Sequence, residues 1–262
     1  MSNPSTIRGL AASVALVALT GAAAAAPAIG LSGDKTLVWF DTDKPEISKT
    51  VEIDGVEMLQ GIDLRPSNNM LYGVTRDGTI VTIDMETGAA TAGSKLATNL
   101  PEGVTASVDF NPMADRLRLM GSDGTNLRAN VDTGEVTEDG KLAFEAGDAN
   151  AESEPKVIAT AYINSYGKPE KTAMYDVDAA GTFIQQVKPN DGVLKTIGSL
   201  GIGDVEMVAM DVQTTADGTN TAWLAAGGAL YTIDVATGTA TKTGDITGAP
   251  GMLRDIAILP AM

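Results

Sequence analysis

The phrase TIDMETGAATAG at residues 82–93 is written again, nearly unchanged, as TIDVATGTATKTG at residues 232–244. Each copy alternates apolar and polar residues, breaks at a glycine-containing turn and alternates again, which is the pattern of a β-hairpin. Weaker copies are NVDTGEVTEDG at 130–140 and KPNDGVLKTIG at 188–198. The turn glycines are separated by 46, 58 and 46 residues: Gly88, Gly134, Gly192 and Gly238. Spacing of this kind indicates repeated supersecondary units.

A second phrase precedes each hairpin, and a fifth copy ends the chain. The five copies are GIDLRP (61–66), SVDFNP (107–112), TAYINS (160–165), AMDVQT (209–214) and DIAILP (255–260). Four strands in each unit are the scale of a propeller blade. We therefore predict an all-β, five-bladed β-propeller. Its fifth blade joins DIAILP to strands in TLVWFDTD (36–43) and ISKTVEID (47–54), and a β-sandwich or an open β-solenoid is the alternative.

The N-terminal segment has the composition of a secretory signal peptide. Arg8 is followed by the apolar run GLAASVALVALTGAAAAA, which ends in small residues. We predict a signal peptide at 1–26, a single propeller domain at 33–262 and a periplasmic or secreted location. The apolar run is shorter than a membrane span needs, so no membrane span is expected after cleavage.

Composition excludes several classes of function. The formal net charge is −16, which repels nucleic acid. The chain has no Cys and no His, so it has neither disulfides nor Ser-His-Asp or Cys-His catalysis. The usual zinc, copper and haem ligands are also missing. Hard-cation binding by oxygen and chemistry based on carboxylates, Lys, Tyr or Ser remain.

Four of the five inner phrases carry a polar face that we predict to line the central channel. One level of this face is formed by Asp63, Asp109, Tyr162 and Asp211, and a second level, two residues on, by Arg65, Asn111, Asn164 and Gln213. Carboxylates that converge need a cation, a proton or a hydrogen-bonding ligand. We predict a Ca²⁺ site at the three Asp residues or a site for a small polar ligand. Alternatively, these Asp side chains accept backbone N–H groups or pair with Arg, and so connect the blades.

Blade two concentrates arginine in the stretch VDFNPMADRLRLMGSDGTNLRAN (108–130). Guanidinium groups bind carboxylate and phosphate through paired donors. Together with Asp109, Asn111 and Arg65, the residues Arg116, Arg118, Asn126 and Arg128 could form an anion or sugar pocket. An Arg–Asp network between blades is the other interpretation.

Several of these motifs resemble an exported bacterial family defined only as a domain of unknown function. The resemblance rests on GIDLRP, DFNPMADRLRLM with NLR, AYINS, PNDG and LYTIDVATGTAT, and it spans about residues 34–260. It implies an exported domain of propeller-like repeats and assigns no catalytic residue. The family's usual PPNDG is KPNDG here, at 188–192, so a shared role for the first Pro is in doubt.

Three functions remain open. The first is an exported binding or interaction domain, whose partner is a small polar ligand or another exported protein. The second is a structural protein of the envelope or matrix. The third is a carboxylate-dependent glycoside hydrolase or lyase that uses Asp63, Asp109 and Asp211, with Glu206 as a further candidate. The sequence contains no nucleophile motif, so no catalytic residue is assigned.

Overall fold

The computed structural model describes residues 25–260, except 204 and 206. Much of the predicted signal peptide and Glu206 therefore lie outside the described residues. The chain forms strands, numbered here in chain order, and one short 3₁₀ helix (Pro189–Asp191). The strands are β1 (Pro27–Ser32), β2 (Thr36–Asp41), β3 (Lys44–Glu52), β4 (Leu59–Arg65), β5 (Met70–Thr75), β6 (Thr79–Ile83), β7 (Ala90–Lys95), β8 (Ala106–Asn111), β9 (Arg116–Gly121), β10 (Asn126–Ala129), β11 (Val136–Glu138), β12 (Ala143–Phe144), β13 (Val157–Tyr162), β14 (Met174–Asp178), β15 (Thr182–Lys188), β16 (Val193–Ser199), β17 (Val208–Thr214), β18 (Asn220–Ala226), β19 (Ala229–Ile233), β20 (Ala240–Asp245) and β21 (Leu253–Ile258).

Five antiparallel sheets form the five blades of a β-propeller, which confirms the predicted fold. From the inner strand outward, they are β4–β7, β8–β11, β13–β16, β17–β20 and the sheet β21-β1-β2-β3. The inner strands β4, β8, β13, β17 and β21 each contact the next, and β21 contacts β4. The ring is therefore closed. Among the described residues, no helix is long and apolar enough to cross a membrane.

Two strands were not predicted from the sequence. β1 (Pro27–Ser32) pairs with both β21 and β2 in the fifth blade, and it begins before residue 33, where the sequence analysis starts the propeller domain. β12 (Ala143–Phe144) pairs in parallel with β16 and adds a fifth strand to blade three. The closure between the two ends of the chain is as predicted.

The apolar core lies between the blades. One cluster of buried side chains fills each junction, because the inner and second strands of neighbouring blades face each other. The cluster between blades two and three has the fewest buried apolar members, among them Met120, Leu142 and Ile184. That junction also contains Arg118, whose side chain is fully buried.

The glycines of the repeated phrase lie where the backbones of neighbouring blades come into close contact. Gly134 and Gly192 have φ values of 78° and 72°, in the left-handed region that favours glycine. A Cβ at Gly134 would lie 2.1 Å from the carbonyl oxygen of Lys95, on the outer strand of blade one. A Cβ at Gly192 would lie 2.2 Å from the carbonyl oxygen of Gly140. The repeated phrase is therefore a structural element, as its sequence predicts.

Candidate functional site

Three inner strands bring Asp63, Asp109 and Asp211 together at the ring axis. One carboxylate oxygen from each residue lies within 4.8 Å of the other two, although the residues belong to blades one, two and four. All three side chains are buried. They line a cavity of about 300 Å³, here called the central cavity, at the end of the channel where the inner strands finish.

Each carboxylate also connects neighbouring blades. Asp63 accepts a hydrogen bond from the backbone N–H of Phe110 at 2.6 Å, and Asp109 accepts one from Tyr162 at 3.0 Å. Asp211 accepts the N–H of Ile258 at 2.5 Å. These bonds show the connecting role that the sequence analysis left open for these residues.

The second oxygen distinguishes Asp109 from the other two. Asp63 and Asp211 each use their remaining oxygen to accept the N–H of the following residue. Asp109 accepts only the Tyr162 N–H, through Oδ1, among the bonds between described residues. Its Oδ2 is therefore available to another partner.

A fourth carboxylate, Asp255, lies near these three. Its oxygens accept the N–H groups of Ile62 and Ile256 at 2.9 and 3.1 Å. In the aligned inner phrases Asp255 lies two residues before the level of the other Asp residues. It was missed because the sequence comparison covered this level and the one two residues after it but not the one two residues before it, although all three levels share a strand face.

Burial makes these carboxylates costly to ionise. It raises the pKa of Asp63 well above its ordinary value, and the negative charge of Asp211 raises it further. Burial, with the charges of Asp63 and Asp211, raises the pKa of Asp109 in the same way. Burial also raises the pKa of Asp211 to about 6 and that of Asp255 well above its usual range. The cluster therefore favours a proton or a cation.

Gln213 also contributes to the lining of this cavity. It follows Asp211 by two residues on β17, lines the central cavity and is 5% exposed. Its Oε1 accepts the indole N–H of Trp223 at 3.1 Å. Its Nε2 is buried and has no hydrogen-bond partner among the described residues.

The rim of the cavity is formed by loops that follow the inner strands. Tyr166, which is half exposed, and Asn69 both lie on it. The described non-glycine residues with a positive φ are Asn69, Asp115 and Asn164, all in turns after β4, β8 and β13. Asn and Asp tolerate this conformation better than other residues, and such backbone is found disproportionately at functional sites.

Three of the four predicted arginines, Arg65, Arg118 and Arg128, are held in ion pairs rather than at the central cavity. Arg65 donates two hydrogen bonds to each of Asp115 and Asp132, at 2.6 to 2.8 Å. These bonds connect blade one to blade two. They hold the pKa values of Asp115 and Asp132 below the usual range.

Arg118 and Arg128 share one carboxylate. Arg118 donates to Asp139 at 2.5 Å, and Arg128 donates to both oxygens of Asp139 at 2.6 and 2.9 Å. Arg118 also donates to the Tyr162 hydroxyl and to Asn190, both in the blade-three segment of the chain. This network connects blades two and three, where the apolar cluster is smallest.

The remaining predicted residues have other partners. Arg116 donates to the backbone carbonyls of Ala114 and Asp115. Asn126 accepts from Arg118 and donates to two backbone carbonyls. Asn111 accepts two N–H groups in its own turn, and Asn164 bonds to Asn220 of blade four. The structure thus separates the predicted residues into the central cavity and the inter-blade contacts.

Comparison with known proteins identifies the family. The model of a domain of unknown function, DUF4394, matches residues 36–257. The chain belongs to the DUF4394 family. No curated protein matches this DUF4394 chain.

One solved structure has a fold similar to that of the DUF4394 domain. A structural genomics protein of unknown function from Bacteroides thetaiotaomicron VPI-5482 is 17% identical with a TM-score of 0.54. The alignment covers 89% of this chain and 66% of that one, so the present chain spans slightly less than two thirds of that relative. A protein of unknown function from Bacteroides caccae is 12% identical with a TM-score of 0.43, over 89% of this chain and 99% of that one.

The opposite end of the DUF4394 channel has a larger cavity of about 990 Å³. Gln60, Arg76 and Arg254 contribute to its lining. Arg254 is anchored there, since it donates to the backbone carbonyls of Gly33 and Leu59 at 2.6 and 2.8 Å. The lining of this cavity carries both charges, with Glu57, Asp77 and Glu102 beside Arg76 and Arg254, whereas the charged residues that line the central cavity are the three carboxylates.

Proposed function

We propose that this DUF4394 domain is an exported ligand-binding domain whose central cavity binds a hard cation, with Ca²⁺ as the first candidate. The observation that carries the proposal is the meeting of three buried carboxylates from three blades within 4.8 Å at the wall of a cavity. Export is supported by the composition of the N-terminal segment, and N-terminal sequencing of the protein recovered from the periplasm or medium tests it.

The spacing of the carboxylates suits a single ion. Ca²⁺ binds six to eight oxygens at about 2.3–2.6 Å, so oxygens on opposite sides of one ion are roughly 5 Å apart. Asp63, Asp109 and Asp211 would supply the protein oxygens, and water in the cavity the rest.

The charge balance also supports a cation. Among the described residues, no Lys or Arg forms a salt bridge with any of these three carboxylates. Like charges at this separation raise one another's pKa, as the raised pKa values of Asp63 and Asp109 reflect. A divalent cation would offset the repulsion and favour the ionised forms.

A hydrolase function has less support. Retaining and inverting glycosidases separate two carboxyl groups by about 5–5.5 Å or 6.5–9.5 Å, because sugar or water must lie between them. The three Asp oxygens here are closer than either spacing. The experiment must distinguish cation binding from a purely structural role, in which the carboxylates only form inter-blade contacts.

The test compares thermal unfolding of the protein in EDTA and in excess Ca²⁺, with elemental analysis of the purified protein. A ligand at a hundred times its Kd adds about 2.7 kcal/mol, which raises Tm by about 5–10 °C for a domain of this size. The test variant is Asp109→Asn, because the amide oxygen can still accept the Tyr162 N–H while the charge is lost.

Asp176→Asn is the matched control. Asp176 is equally buried, uses one oxygen to accept the Thr160 hydroxyl and has an unpaired Oδ2, but it lies on β14 outside the central cavity. We expect Asp109→Asn to lose the Ca²⁺ response and Asp176→Asn to keep it. If the wild-type protein contains no metal and Ca²⁺ leaves its Tm unchanged, the carboxylates serve only to connect the blades.

A further inference from the structure

The residue before strand β1 belongs to the folded domain. Ala26 is 1% exposed, and it lies in the apolar cluster that also contains Ala28 and Phe40. Its backbone is bonded to Thr42 in both directions. The Ala26 N–H donates to Thr42 Oγ1, and the Thr42 N–H donates to the Ala26 carbonyl, both at 3.0 Å. Blade five is therefore complete only in a chain that retains Ala26.

A chain that began at Pro27 would lose both of these hydrogen bonds. Thr42 is 1% exposed, and its backbone N–H has no other acceptor among the described residues. A buried N–H group that is left without an acceptor is destabilising. The methyl group of Ala26 would also be missing from the apolar cluster, and an unfilled space in a core adds to the loss of stability.

A chain that began at Ala26 would keep this residue but change its charge. The neutral peptide N–H would become an ammonium group at a buried position, where its described hydrogen-bond partner is the uncharged hydroxyl of Thr42. Burial of an ammonium group without a charged partner is costly. Ala25, in contrast, is exposed, so an ammonium group on Ala25 stays in water.

The sequence leaves three bonds open to cleavage, and the fold favours one of them. A signal peptidase cuts after an Ala-x-Ala pattern, and in the alanine run at 22–26 this pattern precedes the bonds that follow Ala24, Ala25 and Ala26. We propose that a signal peptidase hydrolyses the bond between Ala24 and Ala25. Water adds across this peptide bond and leaves a carboxylate on Ala24 and an ammonium group on Ala25. This inference rests on the export that the proposed function includes.

The chain enters the fold beside the central cavity. The N–H of Leu259 donates to the carbonyl of Pro27 at 2.8 Å, and both Leu259 and Pro260 line that cavity. The apolar N-terminal segment therefore stays attached next to the central cavity until the bond is hydrolysed. Cleavage separates this segment from the side of the domain on which the proposed ligand binds.

The first experiment expresses the full chain in a Gram-negative host and determines the N-terminus of the exported protein by intact mass and N-terminal sequencing. We expect the mature chain to begin at Ala25. An exported chain that begins at any other residue, Ala26 and Pro27 included, would overturn this inference but leave export intact. A chain that is not exported and keeps all 262 residues would overturn both.

The second experiment does not depend on export. Two chains, which begin at Ala25 and at Pro27, are produced without the N-terminal segment, and removal of the initiator methionine is verified by mass. We expect the Tm of the shorter chain to be lower by at least about 3 °C. Thr42→Val removes the acceptor of the Ala26 N–H, so it should lower the Tm of the longer chain clearly more than that of the shorter one.

Thr50→Val is the matched control. Thr50 is exposed on β3 of the same blade, so its substitution should change the Tm of both chains by the same small amount. Equal Tm values for the two chains would overturn the inference, because the fold would then have no need of Ala26. Equal effects of Thr42→Val on the two chains would overturn it as well.

Discussion

Two groups of buried charges in this propeller differ in their partners. At the junctions of blade two, Arg65, Arg118 and Arg128 pair with carboxylates through charged hydrogen bonds. At the ring axis, Asp63, Asp109, Asp211 and Asp255 accept backbone N–H groups, and Asp63, Asp109 and Asp211 line an open cavity. In the first group the arginines neutralise the carboxylates with which they pair. In the axial group three of the carboxylates face a cavity that has room for a ligand.

At the junction of blades two and three, ion pairs of the first group replace part of the apolar packing. The junction of blades two and three has the smallest apolar cluster and the buried Arg118–Asp139 pair. Nearby, burial raises the pKa of Asp176 to about 7. Removing Arg118 would leave Asp139 paired with Arg128 alone and would leave other buried polar groups without a donor, at a cost of about 1–3 kcal/mol for each such group. This difference between the two groups leads to four predictions.

The largest effect is expected from Arg118→Met. Asp139 is 4% exposed, and the Tyr162 hydroxyl, Asn126 and Asn190 also lose their donor. Asp139 keeps Arg128 as a partner, so the loss comes mainly from these acceptors, and we expect the free energy of unfolding, measured by urea denaturation, to fall by at least about 3 kcal/mol. Arg116→Met is the control and should change it by less than about 0.5 kcal/mol, since Arg116 contacts only two backbone carbonyls. Equal losses in the two variants would contradict this account.

Gly61→Ala disturbs the axial group without changing any charge. The added Cβ would lie 2.5 Å from Oδ2 of Asp255 and 2.7 Å from a methyl group of Val108. We expect a loss of about 1–3 kcal/mol in the free energy of unfolding. Gly93→Ala, on outer strand β7 with its nearest atom at 3.4 Å, should lose less than half as much. A Gly61→Ala protein as stable as wild type would show that the axial carboxylates can shift freely.

The third prediction concerns pH. Burial raises the folded-state pKa of the axial carboxyls, that of Asp211 to about 6. Their protonated forms therefore favour folding, and this contribution is complete below the ordinary Asp pKa and lost as the pH rises through the folded pKa. Surface carboxylates with lowered pKa values, such as Asp115, act in the opposite direction, so the comparison is made between wild type and Asp109→Asn.

In EDTA we expect Asp109→Asn to gain stability relative to wild type between pH 5 and pH 8, as measured by urea denaturation. The gain should reach at least about 1.4 kcal/mol, the equivalent of one pKa unit. Excess Ca²⁺ at pH 8 should reverse the order, because only wild type binds it fully. A difference that does not vary with pH would mean that Asp109 is ionised throughout this range.

The smallest effect is expected from Arg65→Lys. The lysine retains the charge but cannot form the paired hydrogen bonds to Asp115 and Asp132. Both carboxylates are partly exposed, at 39% and 62%, so water replaces part of what is lost. We expect a loss of about 1 kcal/mol in the free energy of unfolding and an unchanged Ca²⁺ response. A changed Ca²⁺ response would connect Arg65 to the central cavity.

The repeat pattern was sufficient to predict the fold. The recurring turn glycines and inner phrases specified five blades, and the C-terminal phrase DIAILP predicted the closure that β21 makes. The two-residue period of a strand was enough to predict that Asp63, Asp109 and Asp211 lie at one level, each on the same face of its inner strand. Strand β1 was not predicted, because its sequence PAIGLS follows the apolar N-terminal run and lacks a clear polar alternation.

The division of the polar residues could not be predicted in the same way. Arg65 and Gln213 occupy equivalent positions in GIDLRP and AMDVQT, yet Arg65 is enclosed by two carboxylates, whereas the Gln213 amide oxygen accepts the indole N–H of Trp223 and its Nε2 is buried without a partner among the described residues. These contacts depend on Asp115 and Asp132, which lie in turns of blade two, and on Trp223, which lies on the neighbouring strand β18. Sequence spacing within one strand contains no information about those partners.

The sequence by itself thus determined the blades, their number and the face of each inner strand, because these follow from local turn chemistry and strand periodicity. Only the tertiary structure decided which carboxylates remain without a cationic partner and which donor remains without an acceptor. Those outcomes depend on distances of a few ångströms between residues far apart in the chain, and such distances are fixed only when the ring closes.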